Sequence, residues 1–265
     1  MNLNEFLIDP NQIPAMPQVI VKALSIIKDE DSGVRQLADI ISYDQALSTQ
    51  VLKLVNSAYY GFSQQITSIT KAIGLIGMNQ TKNIIITVAM KSMLTTGGGK
   101  DLWEHSIKCG VASEQIAKQY KLMNPDEAFI LGFLHDIGKI VLAKKSLRLF
   151  QKANELANRG LNAIEAEEIF FKTNHADIGF FLATKWKLSV IIANAIKYHH
   201  DPLKSSMLNV AALVYFADRL TKPILKKPYF DPDVEKRTNI YIENPLEFRE
   251  TIDEKSSILF SELIR

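Results

Sequence analysis

AFILGFLHDIGK, residues 128–139, is the stretch on which the fold of this chain turns. Its apolar run, Ala128–Leu134, leads straight into His135-Asp136-Ile137-Gly138-Lys139. On a helix of 3.6 residues per turn, adjacent side chains point about 100° apart, so His135 and Asp136 can flank one ion. The imidazole supplies a nitrogen donor, and the carboxylate carries a charge that can bridge to a second ion. Lys139 follows one turn after His135, where an ammonium can meet a substrate phosphate.

Working outward, all five histidines lie between residues 105 and 200: His105, His135, His175, His199 and His200. Asp101 and His105 are related as i, i+4 and share a helix face. His175 falls at a helix start, where Asn174 can cap and Asp177 can help neutralise the free amides. His199-His200 end a helix just before Asp201-Pro202, where exposed carbonyls favour a cation, metal or proton. Asp218 sits inside an apolar helix, Ala211–Leu220, and a buried carboxylate needs a partner: a metal or the adjacent Arg219. A lone histidine on an apolar helix is more often a hydrogen-bonded core residue than a ligand. Five in one region, with Asp136 and Asp218, point to metal binding. Cys109, one turn after His105, reads as a buried structural thiol.

The rest of the chain reads as helical nearly throughout. Residues 17–28 begin at Pro17 and stop in Asp29-Glu30-Asp31. Ser32 can cap a second helix to about Ile41, and Asp44 a third with Leu47, Val51, Leu54 and Val55 on one face. Asn56, Ser57 and Gly61 mark its exit. A short fourth helix is expected from Thr67 or Ser68 to Gly77, and a fifth from Asn79 to about Leu94. Its Ile84–Val88 run is strand-prone, but no partner strand pattern exists elsewhere, so it is read as helix. Thr95-Thr96-Gly97-Gly98-Gly99 reads as a linker. Helices are then expected at about 101–120, 125–143, 146–159, 162–171, 174–186, 188–200 and 205–221. An irregular stretch, 222–245, and a last helix, about 246–264, follow. The expectation is an all-α protein of two packed helical subdomains. These are residues 1–96 and 97–222, with 223–265 as an irregular segment plus the C-terminal helix.

Composition excludes several classes. The net charge is +2, too small for a nucleic-acid or anionic-membrane partner, and residues 1–96 carry seven basic and seven acidic groups. Val34–Lys53 loosely resembles a helix-turn-helix across Ser42-Tyr43-Asp44, but lacks a basic stripe. A single cysteine rules out an internal disulfide and suits a reducing compartment. Met1 opens a polar, acidic stretch without a signal-peptide pattern, and the apolar runs at Ile84–Met90 and Val190–Ile196 are short for a membrane span. A cytoplasmic location without membrane contact is expected.

Several segments resemble the HDOD family, a bacterial signalling module related to HD-type metal phosphohydrolases. In the first half these are Ile13–Pro17, Asp44–Phe62 and Ile66–Gly77, with Asn56-Ser57-Ala58-Tyr59-Tyr60-Gly61 the most specific string. In the second half they are Leu102–Ser106, Gly132–Lys139, His175–Gly179 and Tyr198–Pro202. The resemblance implies an HD-like helical core in which His105, His135, Asp136 and Asp218 ligate metal. His175, His199 and His200 look like the additional histidines of the HD-GYP phosphodiesterases, and Asp101 like an acidic bridging ligand in some of them. The chain departs from that pattern after His200, where Asp201-Pro202-Leu203-Lys204 replaces the GYP segment. The first subdomain has no counterpart in the simple hydrolases.

HDOD proteins are generally regarded as regulatory. The resemblance therefore implies a signalling module acting through protein–protein contacts, with a non-catalytic or vestigial HD-like metal site. No receiver or cyclase domain occurs in the sequence, so output is expected to act in trans, through a signalling partner or a homo-oligomer. The Tyr59-Tyr60-Gly61-Phe62 loop is a candidate contact surface. The alternative is a metal-dependent phosphohydrolase or phosphodiesterase acting on a nucleotide or cyclic dinucleotide, with His135, Asp136 and Lys139 as catalytic residues. The implied cofactor is a divalent transition metal: iron, manganese, zinc or nickel.

Overall fold

Pro125 at a helix start, capped by Asn124, explains where the most uniformly apolar stretch, Ala128–Leu134, enters its helix. The computed structural model describes residues 14–25, 30–222 and 229–264. Among them the regular structure is helical, with no strand. Contacts divide the chain into two units. One is Met16–Ser92 with Glu250–Arg265; the other is Met93–Arg249 with the residues before Met16.

The first unit holds α1 (Gln18–Ser25), α2 (Glu30–Ser42), α3 (Gln45–Val55), the start of α4 (Ile69–Tyr120) and most of the last helix, Pro245–Ile264. Asp44 caps α3 by accepting from the Leu47 amide at 3.0 Å, and Ser48 Oγ donates to Ile41 O at 2.7 Å, tying α3 to the end of α2. Leu47, Val51, Leu54 and Val55 form the buried face of α3. At its exit Asn56 acts as a clamp. Its Nδ2 donates to Leu52 O at 2.8 Å and Ile66 O at 2.7 Å, and its Oδ1 accepts from the Ile66 amide at 2.7 Å. The loop between these anchors presents Tyr59, Tyr60 and Phe62. Tyr60 and Phe62 stack at 6.3 Å between centroids, and Phe62 remains exposed.

Separate helices are expected on either side of Gly77, and a linker at 95–99. Instead α4 runs from Ile69 to Tyr120, and the division between units falls within it. Gly77 and Gly99 adopt φ of +83° and +80°, so the helix is locally interrupted at both. Around Gly99, Leu94 on one side and Leu102 and Trp103 on the other are buried. That packing outweighs the roughly 1 kcal/mol that each helical glycine costs. The strand-prone Ile84, Ile85 and Ile86 lie in this helix and are buried.

The second unit is built around α5 (Pro125–Leu134), whose residues Ala128–Leu134 are all buried. Of these, Phe129, Ile130, Leu131, Phe133 and Leu134 each contribute about 1.5–3 kcal/mol when fully buried. Helices α9 (His175–Lys185), α10 (Val190–Tyr198) and α11 (Leu208–Thr221) pack in succession, and α10 and α11 both cover α5. Helix α6 (Lys139–Lys145) packs against α9, and α7 (Leu147–Asn158) pairs with α8 (Ala163–Phe171). Asn162, Asn174 and Ser189 cap α8, α9 and α10, as expected for Asn174.

Two expectations need correction here. A single helix over 125–143 is in fact broken, since residues 135–138 form turns between α5 and α6. The cause is a close approach: a Cβ on Gly138 would lie 2.0 Å from His175 O, so the chain bends around the start of α9. The segment 222–245, expected to be irregular, contains helix α12 (Pro232–Thr238), capped by Asp231 and closed by Asn239 at φ +57°. Residues 223–228 lie outside the described residues. The last helix, α13, spans Pro245–Ile264.

Candidate metal centre

The turn after α5 sends His135 and Asp136 into a buried space bounded by α4, α9, α10 and α11. His135 Nδ1 lies 2.6 Å from Gly132 O and donates to it, which leaves Nε2 facing inward. There His135 Nε2 is 3.3 Å from His105 Nε2 and 3.2 Å from Asp136 Oδ2. His105 Nε2 is 3.5 Å from Asp136 Oδ2 and 3.2 Å from Asp218 Oδ1, and His135 Nε2 is 3.7 Å from Asp218 Oδ1. These four donors come from α4, the turn and α11.

A second group lies on the other oxygen of Asp136. His175 Nε2 is 3.2 Å and His199 Nε2 3.9 Å from Asp136 Oδ1. His175 Nε2 is also 3.3 Å from His199 Nε2 and 2.9 Å from His200 Nε2. His199 donates its Nδ1 hydrogen to Ile196 O at 2.8 Å, and His175 donates its own to Glu167 Oε2 at 2.7 Å.

The donor sets fit metal ions. A tetrahedral ion with bonds of about 2.0–2.1 Å has donor–donor edges of about 3.3–3.4 Å, and most separations above fall close to that value. His175 and His199 both have their Nδ1 hydrogen committed, so their Nε2 lone pairs face each other, an arrangement a cation between them stabilises. His105, His135, Asp136 and Asp218 would hold one ion. His175, His199 and His200, with Asp136 as shared carboxylate, would hold the other. Sets rich in imidazole suit transition metals better than magnesium or calcium.

Electrostatics agree with a cation-seeking site. Burial pushes the Asp136 and Asp218 carboxyls up, yet both end well below their ordinary 3.8. His135 and Lys139 hold Asp136 down, and Lys222 and His105 hold Asp218 down. Lys139 Nζ is 2.6 Å from Asp136 Oδ2, and Lys222 Nζ 2.5 Å from Asp218 Oδ2. Burial carries His199 and His200 well below 6.5, and neighbouring imidazoles add to the effect. His105 is also lowered by burial, against the pull of Asp218. His135 is the exception: burial lowers it, but Asp136 and its other neighbours raise it well above 6.5. In the metal-free chain these carboxylates favour a proton on its Nε2, since Nδ1 already donates to Gly132 O.

The match that settles the lineage covers most of the sequence: the HDOD domain model fits residues 13–202. The chain belongs to the HDOD family. An HDOD domain protein of unknown function from Geobacter sulfurreducens superposes with a TM-score of 0.74 at 25% identity, covering 92% of this chain and 93% of that one. A candidate phosphohydrolase from Shewanella amazonensis has the same fold, with a TM-score of 0.76 at 21% identity, over 98% of this chain and 97% of that one. An uncharacterised protein of Treponema pallidum is 29% identical over 199 residues, which is 72% of this chain but only 38% of that relative's length.

Within this HDOD fold, all seven residues singled out as ligands lie in the one cluster. Asp101 does not join them: it is exposed and belongs to neither group. Arg219 is not the partner of Asp218. Its guanidinium lies 4.4 Å from the centroid of the Tyr215 ring, while Asp218 takes Lys222 and the imidazoles. Cys109 is buried, and burial pushes its thiol above the ordinary 9.0, so it stays protonated and outside both groups. Two participants escape a reading for ligands, Glu167 and Lys222. Glu167 carried a signal: it falls three residues after Ile164 and four before Phe171, on the apolar side of its helix. Lys222 is recognisable only by its i, i+4 relation to Asp218.

Proposed function

We propose that this HDOD chain holds two divalent transition-metal ions and uses them to hydrolyse a phosphate ester. One observation carries the reading: the two oxygens of Asp136 face two separate sets of imidazoles, Oδ2 toward His135 at 3.2 Å and Oδ1 toward His175 at 3.2 Å. When bound, such a metal pair activates water at neutral pH and polarises a phosphoryl oxygen. The chain's own groups do the rest. Lys139, charged because Asp136 outweighs its burial, meets a phosphate oxygen from a partly exposed position. His105 and His200 are half-buried, whereas His135, His175 and His199 are fully buried. The Shewanella relative's description as a candidate phosphohydrolase is consistent with this assignment.

A purely regulatory reading, favoured from the sequence, has its own support in the exposed Phe62, stacked on the half-buried Tyr60, on the clamped loop of the first unit. There the metal would serve structure or sensing, and output would pass to a partner protein. The deciding experiment is metal analysis of protein purified without chelator or nickel resin, followed by assays on phosphate monoesters and cyclic dinucleotides. Two equivalents of transition metal, with turnover that His135→Ala and Asp136→Ala abolish, support hydrolysis. Metal without turnover leaves the regulatory reading standing.

A further inference from the structure

Glu167 contributes no ligand, yet it is almost fully buried at the edge of the cluster. One of its oxygens, Oε2, accepts twice from the same residue: from the His175 backbone amide at 2.7 Å and from His175 Nδ1 at 2.7 Å. The first bond docks α8 onto the start of α9. The second bears on the chemistry. An imidazole that gives its Nδ1 hydrogen to an acceptor presents a lone pair at Nε2, and a carboxylate acceptor also makes that nitrogen a stronger donor to metal.

We infer that Glu167 is the positioning residue of the second ion, fixing the tautomer and direction of His175 toward Asp136, His199 and His200. His135 and His199 have the same task done by backbone carbonyls, Gly132 O and Ile196 O. Of these three imidazoles, His175 is thus the one with a charged acceptor. Its Nε2 touches three other donors of the cluster, at 2.9, 3.2 and 3.3 Å, so a rotation of this ring disturbs the whole second group. The first group contains neither His175 nor any residue that Glu167 contacts by hydrogen bond. Glu167 therefore bears on the second ion directly and reaches the first only through the shared carboxylate of Asp136. This assignment rests on the two-ion reading above.

The test compares wild type, Glu167→Gln and Glu167→Leu, each stripped of metal and titrated with cobalt(II) by calorimetry and visible absorption. Wild type takes up two ions. Glu167→Gln, which keeps a neutral acceptor, weakens the second ion by roughly 10- to 100-fold, and Glu167→Leu weakens it further. The first ion, which Glu167 reaches only through Asp136, is weakened much less than the second in both variants. Equal affinity for both ions in all three proteins overturns the assignment and leaves the two-ion reading intact. So does parallel weakening of both ions that tracks melting temperature, since that is what a helix cap alone would give. Wild type that takes up no cobalt overturns both. Imidazole 15N NMR of the metal-free wild type provides a measurement that needs no variant to fold. His175 is expected with its proton on Nδ1, and a proton on Nε2 alone would overturn the role of Glu167.

Discussion

Gly138 and His175 meet so closely that a Cβ on the glycine would lie 2.0 Å from the histidine's carbonyl oxygen. The neighbouring atom is backbone at the start of α9, so it cannot swing aside. Gly138→Ala is therefore expected to push the His135-Asp136 turn away from α9, with a cost in the range of overpacking, about 1–3 kcal/mol or more. Chemical denaturation measures the stability. Binding of the second ion, which needs both Asp136 and His175, should weaken along with it. A variant as stable as wild type with unchanged metal content would contradict this geometry.

Asp136 serves both donor groups and Asp218 only one. Asp136→Asn is expected to weaken both ions, whereas Asp218→Asn weakens the first and leaves the second. Metal stoichiometry after dialysis distinguishes the two. Identical losses in both variants would mean that the carboxylate of Asp136 is not shared.

The metal-free chain should be acid-sensitive. His105, His199 and His200 are neutral in the fold with pKa values below 6.5, while the unfolded chain takes up protons near that value. Stability from these groups is present above 6.5 and is lost as pH falls below it toward their folded values. Asp136 and Asp218 add a further loss below 3.8. His135 works in the opposite sense, contributing below 6.5 and losing that contribution as pH rises through its raised value. Three against one, the melting temperature of the metal-free chain is expected to be lower at pH 5 than at pH 7.5. A higher value at pH 5 would reverse the balance assigned to these groups.

His135 also sets how metal and protons compete. Its proton must leave before Nε2 can ligate, so affinity for the first ion should rise with pH through and above neutrality, with proton release on binding. Calorimetry in buffers of different ionisation enthalpy counts the protons. No release near neutral pH would count against a protonated His135.

Asn56→Ala removes three side-chain hydrogen bonds, two of which join the end of α3 to Ile66 and one of which returns to Leu52 O. The Ile66 backbone groups lose their partner, a loss of about 1–3 kcal/mol each where they remain buried. Faster amide exchange across residues 57–66 is the expected readout, with metal stoichiometry unchanged.

Much of this was legible before any coordinates. The five histidines, Asp136 and Asp218 were readable as candidate ligands, because ligands are few in kind and apolar runs flank them, although the same reading drew in Asp101, which is exposed and apart. Asn174 and Asp44 announced helix starts through capping chemistry that is local in sequence. What escaped was non-local. The break after Leu134 depends on the backbone of His175, some forty positions away, and no propensity at Gly138 reveals that contact. Arg219 was the nearest cation to Asp218 along the chain, but a neighbouring position on a helix points elsewhere, and the one four residues on, Lys222, is the one that reaches it. Gly77 and Gly99 did mark irregular backbone, though packing on both sides of Gly99 kept the helix going.

The Asn56 clamp has a consequence for how this surface can change. By pairing with both the amide and the carbonyl of Ile66, one side chain stands in for an adjacent strand and closes the loop at its base. Within that closed loop Tyr60 still reaches α4, its hydroxyl 3.3 Å from Gln80 Oε1, so of the ring pair it is the exposed Phe62 whose replacement disturbs the helices least.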